Sequence, residues 1–312
     1  MIKLIIDTDP GVDDAMAILY AAAHPKLELI GLTSVFGNVP VATATRNALW
    51  LAELARLGIP VAEGAAVPLE QPLRPHPDFV HGIEGFGHLP PVTPSQQPDP
   101  RSAAQFLSET CAASPGEVTI CAIGPLSNLA AALALDPAIV RNAAQVVVMG
   151  GALETPGNVN EHAEANIWND PDAAAKVFAA DWPVTLVGLD ITEVVHCGPD
   201  DFARVARNAP VIGGFLNDAV QFYFDFHRAR HDIDGCHMHD PTAVITLTDP
   251  GLFEYREAPV QVTLDGETAG RTSFGGDCPA ARVAMGVEAQ SVLAEFLDTI
   301  GQADTALGLR QS

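Results

Sequence analysis

The chain has 312 residues, 48% of them hydrophobic and 18% charged, enough apolar content for one large core and too much for a disordered chain. Its 39 acidic against 16 basic residues leave a formal net charge of −23, which disfavours nucleic acid and anionic membrane surfaces as partners. The five cysteines never stand as C-x-x-C, and four acids occupy the first twenty residues, where a signal peptide needs a basic start and an unbroken apolar run, so the expectation is a soluble, cytoplasmic protein with reduced thiols.

In chain order, short apolar runs recur: "KLII" (3–6), "LELIGLTSVF" (27–36), "EVTICAI" (117–123), "AQVVVM" (144–149) and "PVTLVGL" (183–189). Rich in Val, Ile, Leu and Thr without clean alternation, they read as strands buried on both faces. Between them lie helical stripes, such as Met16, Leu19, Tyr20 and Ala23, or Ala48, Leu51, Ala52 and Ala55. Strand then helix, repeated, predicts an α/β fold built on an open, mainly parallel sheet flanked by helices. Residues 65–100, with nine prolines, form a Pro-rich loop that serves as a lid near the site. The last third predicts a helix over about 212–231, two or three further strands between 252 and 285, and a terminal helix from about 288. The whole of 1–312 reads as one domain.

The tails of these runs carry more functional signal than the runs themselves. "DTDPG", "GN", "GPLSN", "GGALE" and "DITE" converge at the carboxyl edge of such a sheet, where ligands bind. One of them belongs to "IIDTDPGVDD" (5–14), which sets Asp7, Asp9, Asp13 and Asp14 within eight positions. Helix capping accounts for one or two acids at a helix start, not for four. A hard divalent cation accounts for all of them, because it cancels their repulsion and takes oxygen ligands. Asp240 in "HMHDPTAV" is a further acid of this kind, set apart from the other Asp-Pro pairs by the histidines before it. Two chemistries fit a strand ending in Asp-x-Asp. A metal-dependent aspartyl phosphatase, with Asp7 as nucleophile, also needs a phosphate-binding cation; no lysine follows Lys176. Metal-assisted hydrolysis of a neutral, hydroxyl-rich substrate has no such need.

The ordered set "DTDPGVDDAMAI", "FGN" (36–38), "HGIEG" (81–85), "GPLSNLA" (124–130), "VVMGGA" (147–152), "GNVNEHAEANIWNDP" (157–171), "VGLDIT" (187–192) and "HDP" (239–241) resembles the inosine-uridine-preferring nucleoside hydrolases. The resemblance implies a Rossmann-like sheet and hydrolysis of the N-glycosidic bond of purine or pyrimidine ribonucleosides by a calcium-bound water. It implies a Ca2+ held by Asp9, Asp14, Asp240 and the backbone carbonyl of Ile123, where relatives usually carry threonine. It further implies that Asp13, Asn158, Glu164 and Asn166 hold the ribose hydroxyls and that Asn38 lines the metal site. Asp9 is then the base for the attacking water, and His239, with an ordinary pKa near working pH, the acid for the leaving base; His237 and His81 are the competing donors. Base contacts fall in the 76–90 loop, with His81, and in 222–237, where Phe222, Tyr223, Arg230 and His231 stand. Family members are commonly homodimers or homotetramers. A catalytically silent nucleoside- or calcium-binding member of the fold is the alternative; the full set of acids stands against it.

Overall fold

The computed structural model describes residues 1–309. The five apolar runs are strands, and they account for five of the seven that pair in parallel in the sheet. In chain order the strands are β1 (Ile2–Thr8), β2 (Leu27–Ser34), β3 (Val61–Glu63), β4 (Val118–Ala122), β5 (Ala143–Met149), β6 (Val184–Val187), β7 (His196–Cys197), β8 (Cys236–His237), β9 (Phe253–Val262), β10 (Thr272–Phe274) and β11 (Ala280–Val287). Nine of them form one sheet in the order β10-β9-β11-β6-β5-β4-β1-β2-β3. From β3 to β6 every neighbouring pair is parallel, and β11 joins β6 parallel while pairing antiparallel with β9. β7 and β8 form a separate antiparallel ribbon.

Alternate residues of the central strands enter two cores. Leu4, Ile6, Cys121, Ile123, Val147 and Met149 pack on one face, and Ile5, Ile120, Ala122, Val146 and Val148 on the other. Both faces are dry, which is why the runs lack alternation. The last third also matches: a helix over Ile212–His231, the strands β9 to β11, and a helix over Ala289–Ala306. Among the described residues no helix is long and apolar enough to cross a membrane.

Two features of this layout position the site. The order β3-β2-β1-β4-β5-β6 reverses direction between β1 and β4, so a crevice opens at their carboxyl ends. Across it, the ends of β2 and β5 bring in Asn38 and Met149. The second feature is the helix His239–Thr248, whose cap residue is Met238. At Asp170-Pro171 the aspartate is the cap, and its Oδ1 accepts from Ala173 N at 3.0 Å. Asp240 lies inside the first turn instead, so its carboxylate is not spent on capping.

Candidate active site

The four acids of 5–14 part into two roles. Asp7 points to the far face, where its Oδ1 accepts from Thr33 Oγ1 at 2.5 Å and Asn128 Nδ2 at 2.7 Å. Fully buried, its carboxyl is pushed up to about 7 by desolvation, and it does not line the cavity. It is therefore in no position to serve as a phosphatase nucleophile, and that reading falls. Asp14 accepts four hydrogen bonds: from Thr8 Oγ1 (2.5 Å), Asp9 N (3.2 Å), Gly11 N (2.9 Å) and Asn38 Nδ2 (3.1 Å). It caps its own helix and ties it to the end of β2.

Asp9 and Asp13 are less well supplied. Asp9 Oδ2 accepts from Asn38 N at 2.6 Å, but its Oδ1 is buried with no partner. Asp13 Oδ2 accepts only a long bond, 3.4 Å, from Tyr223 OH, and its Oδ1 is likewise buried and unpartnered. Backbone closes over Asp9 from both sides. A Cβ on Gly124 would stand 2.6 Å from Oδ1, and one on Gly37 would overlap Oδ2. The glycines in the tails of β2 and β4 are thus the space the carboxylate occupies, not generic turn residues.

Asp240 completes the cluster. Asp13, Asp14 and Asp240, all buried, each offer an oxygen within 4.8 Å of the others. Burial holds Asp240 well above the usual carboxylate range, and the charges of Asp13, Asp14 and Asp9 push it further the same way. Burial raises Asp9 too, then Asp14 beside it, and desolvation lifts Asp13 to about 6. Among the described residues no lysine or arginine pairs with any of the four. Oxygen donors, orphaned lone pairs and uncompensated negative charge fit a hard divalent cation.

Above the acids lies a cavity of about 660 Å³. Asp13, Asn38, His81, Ile123, Asn158, Glu164, Asn166, His239 and Asp240 line it; Asp9 and Asp14 are buried and do not line it. One wall is the helix Ala165–Asn169, capped by Glu164, whose Oε1 accepts from Asn166 N (2.9 Å) and Oε2 from Gly151 N (3.0 Å) and Ile167 N (3.1 Å). Three backbone donors lock that carboxylate in place, though burial still raises its pKa. Asn166 Nδ2 donates to Ile123 O (2.9 Å) and Met149 O (3.2 Å). Asn158 spends its Oδ1 on Ala165 N (3.0 Å), which leaves its amide nitrogen as a donor.

The opposite wall is rich in imidazole. His81 Nδ1 accepts from Val12 N at 3.2 Å, so the ring's own hydrogen sits on Nε2. Burial pushes its pKa down to about 4, and the 3.8 Å approach to Asp13 Oδ1 is accordingly not an ion pair. His239 Nδ1 lies 2.8 Å from Thr192 Oγ1. The ordinary pKa expected of His239 is not what the fold provides: burial, then His237 and His227, hold it well below the usual value. His237 is pushed down to about 3 and His227 to about 4, in both cases chiefly by burial.

Of the expected base contacts, Tyr223, Arg230 and His231 line the cavity, and Phe222 faces a second, outer pocket with His88. The Tyr223 ring stacks on His81, with centroids 5.3 Å apart. Residues 75–77 and 79–81 of the Pro-rich loop also line the cavity. Glu193, Trp168, Met149 and His227 line it as well, and sequence reasoning missed all four. Glu193 stands in the "DITE" tail and Trp168 in the "NIWNDP" motif, so each had a positional signal. Met149 and His227 look like core residues in the sequence.

The sequence model of the inosine-uridine preferring nucleoside hydrolases matches residues 4–294. This chain belongs to that family. It is 43% identical over 271 residues to uridine nucleosidase 1 of Arabidopsis thaliana, across 86% of this chain and 81% of that one. A solved plant nucleoside hydrolase superposes with a TM-score of 0.93 at 39% identity, covering 96% of this chain and 98% of the other. A purine-preferring ribonucleoside hydrolase from Gardnerella vaginalis gives 0.92 at 34% identity, with the same coverage of 96% and 98%. The protein is therefore a nucleoside hydrolase, an enzyme that cleaves the N-glycosidic bond of ribonucleosides.

Proposed function

We propose that this hydrolase works at a calcium ion held by Asp9, Asp14, Asp240 and the carbonyl of Ile123, with the ribose seated against Asp13, Asn158, Glu164 and Asn166. The observation that carries this reading is the buried trio Asp13, Asp14 and Asp240, each with an oxygen within 4.8 Å of the others, together with the partnerless oxygens of Asp13 and of Asp9, whose charge acts on Asp240. An all-oxygen donor set with a backbone carbonyl in it suits calcium better than the strict octahedron of magnesium. When bound, calcium supplies the positive charge that keeps the carboxylates ionised, acidifies water and orients vicinal hydroxyls.

The chain's own residues do the rest. Asp9 accepts the proton of the attacking water through Oδ1, while Asn38 N fixes its other oxygen. Asp13 accepts from a ribose hydroxyl, and its charge stabilises the oxocarbenium character that grows on the sugar. Glu164, immobilised by three backbone donors, accepts from a further hydroxyl at no cost in ordering. His239 faces the departing base. In the tautomer whose Nδ1 accepts from Thr192 Oγ1, 2.8 Å away, Nε2 carries the hydrogen and offers a neutral donor to the base as negative charge builds there. That role suits a depressed pKa, whereas an imidazolium acid does not. The reading extends to a cytoplasmic homodimer or homotetramer, supported by the family likeness and the acidic composition.

The test is a panel of inosine, uridine, cytidine, adenosine and guanosine with calcium present, assayed for free ribose. The likeness to a uridine nucleosidase makes uridine the first to try. Nucleosides should be cleaved. Uridine 5′-monophosphate should fall by roughly 10²-fold in kcat/KM, because the Glu164 carboxylate repels a phosphate. Equal kcat/KM for uridine and its monophosphate overturns the assignment of Asn158 and Glu164 to the 5′ end, and no ribose from any nucleoside leaves a silent binding protein.

A further inference from the structure

The ribbon of β7 and β8 sets Cys197 directly opposite Cys236, and His196 opposite His237. A bond from Met238 N to Val195 O, 3.0 Å, holds that register. The rings of His196 and His237 meet on one side of the ribbon, with centroids 4.8 Å apart. Side chains alternate across a strand, so the two thiols, one position along on each strand, project together from the other side. Both are free cysteines, fully buried in the core. Burial raises both thiols, and for Cys236 the sulfur of Cys197 is the next cause. Residues opposed on antiparallel strands have Cα atoms ~4.5–5.5 Å apart, inside the ~4.4–6.8 Å that a disulfide spans.

We propose that Cys197 and Cys236 form a modification site: a dithiol that a peroxide converts into a cross-strand disulfide. The step balances. One sulfur attacks a peroxide oxygen, the O–O bond breaks, and one water leaves with a sulfenic acid in its place. The second thiol displaces that hydroxyl as another water, so two thiols and one hydrogen peroxide give one disulfide and two waters. Two electrons pass from the sulfurs to the peroxide.

The bond has a place in the site's architecture. β8 leads directly into His239 and Asp240, and the chain between the cysteines contains the helix Ile212–His231, whose Tyr223, His227 and Arg230 line the cavity. A disulfide closes that segment as a loop, anchors the imidazole-rich wall and restricts the unfolded chain. Burial sets the rate, because a protonated, inaccessible thiol reacts only while the ribbon is open. The half-buried Cys278 therefore reacts first, and Cys111 and Cys121 have no cysteine opposite them in any ladder.

The experiment uses the calcium-loaded, full-length enzyme carrying Cys278→Ser, exposed to hydrogen peroxide at increasing times, then denatured, alkylated and mapped by mass spectrometry. The expected product has lost two hydrogens, resists alkylation at Cys197 and Cys236 only, and yields one peptide pair joined through them. Its Tm rises by roughly 5–10 °C, and a dithiol reductant reverses both changes. Cys197→Ser in the same background should lose the Tm rise. Full alkylation of both cysteines after exposure that exhausts Cys278 in the unsubstituted enzyme overturns the proposal, as does over-oxidation of either sulfur without a cross-link. Both are read from the peptide map, whether or not Cys197→Ser folds.

Discussion

The helix Val12–Ala23 has an acidic cluster at each end. At its start, Asp13 and Asp14 meet Asp240; just past its end, His24 meets Glu295 and Asp249, again with one ligating atom from each within 4.8 Å of the others. The second cluster is internally satisfied. His24 Nδ1 accepts from Lys26 N at 3.2 Å, so its Nε2 carries the hydrogen that it donates to Glu295 Oε1 at 3.0 Å. Tyr20 OH donates to the same carboxylate at 3.1 Å, and Lys26 Nζ stands 3.0 Å from Asp249 Oδ1. A metal on His24 Nε2 would need the hydrogen moved to Nδ1, where it would collide with the Lys26 N–H. The first cluster has no lysine or arginine partner among the described residues, and a bare buried oxygen remains on its Asp13, as on Asp9. What marks a cation site is therefore missing counter-charge, not proximity of acids.

Chelation should separate the two most sharply. Metal-stripped enzyme should lose roughly a thousandfold or more in kcat/KM, the scale of several kcal/mol of charge stabilisation, and calcium should restore it. The slope of stability against pH should differ as well. In the stripped protein burial raises Asp13 to about 6, above the unfolded value of 3.8, and raises Asp9, Asp14 and Asp240 with it. The folded state then binds more protons than the unfolded one across that window, so the stability is present below pH 4 and is lost as pH rises through about 6. Differential scanning calorimetry at a series of pH values should show Tm falling with chelator, and a flatter profile with calcium. Full activity in demonstrably metal-free protein would refute the cation site.

Smaller, but more diagnostic of mechanism, is the effect of His239→Ala. If His239 serves the leaving base, kcat on inosine should fall by roughly 10²–10⁴-fold, with calcium content unchanged by elemental analysis. A p-nitrophenyl riboside, whose leaving group needs no proton, should lose much less. Equal losses on both substrates would assign His239 to packing beside Asp240.

The sequence carried most of the frame and the acids, for physical reasons that can be named. Strands buried on both faces leave unbroken apolar runs, so β1, β2, β4, β5 and β6 were visible. β3 has only three residues and the β7–β8 ribbon two per strand, too short for any period to register. Asp9, Asp13, Asp14 and Asp240 could be read because clustered charge is rare unless something offsets it. The histidine wall was legible only in part: His81, His231, His237 and His239 stood out as candidates, His227 did not. His227 and His237 come from different elements, and their lowered pKa values arise first from burial and then from neighbouring histidines, both of which only the tertiary fold creates. For the same reason His239 looked like an ordinary acid from its sequence neighbours.

The gentlest prediction tests the satisfied end of the helix. Glu295→Gln keeps the side chain's shape and an acceptor oxygen, so Tyr20 OH and His24 Nε2–H still have a partner, now neutral. Charge-assisted bonds are roughly twice as strong as neutral ones, and a net hydrogen bond contributes about 1 kcal/mol. The substitution should therefore cost about 1 kcal/mol or less and shift Tm by ~2–4 °C at most. Calcium stoichiometry, kcat and KM should not move, since the nearest acids of the cavity lie at the other end of the helix. Isothermal titration with calcium, run beside the unsubstituted enzyme, decides it. A binding event lost in Glu295→Gln would mean that the second cluster holds metal after all, and that hydrogen-bond satisfaction does not distinguish the two ends.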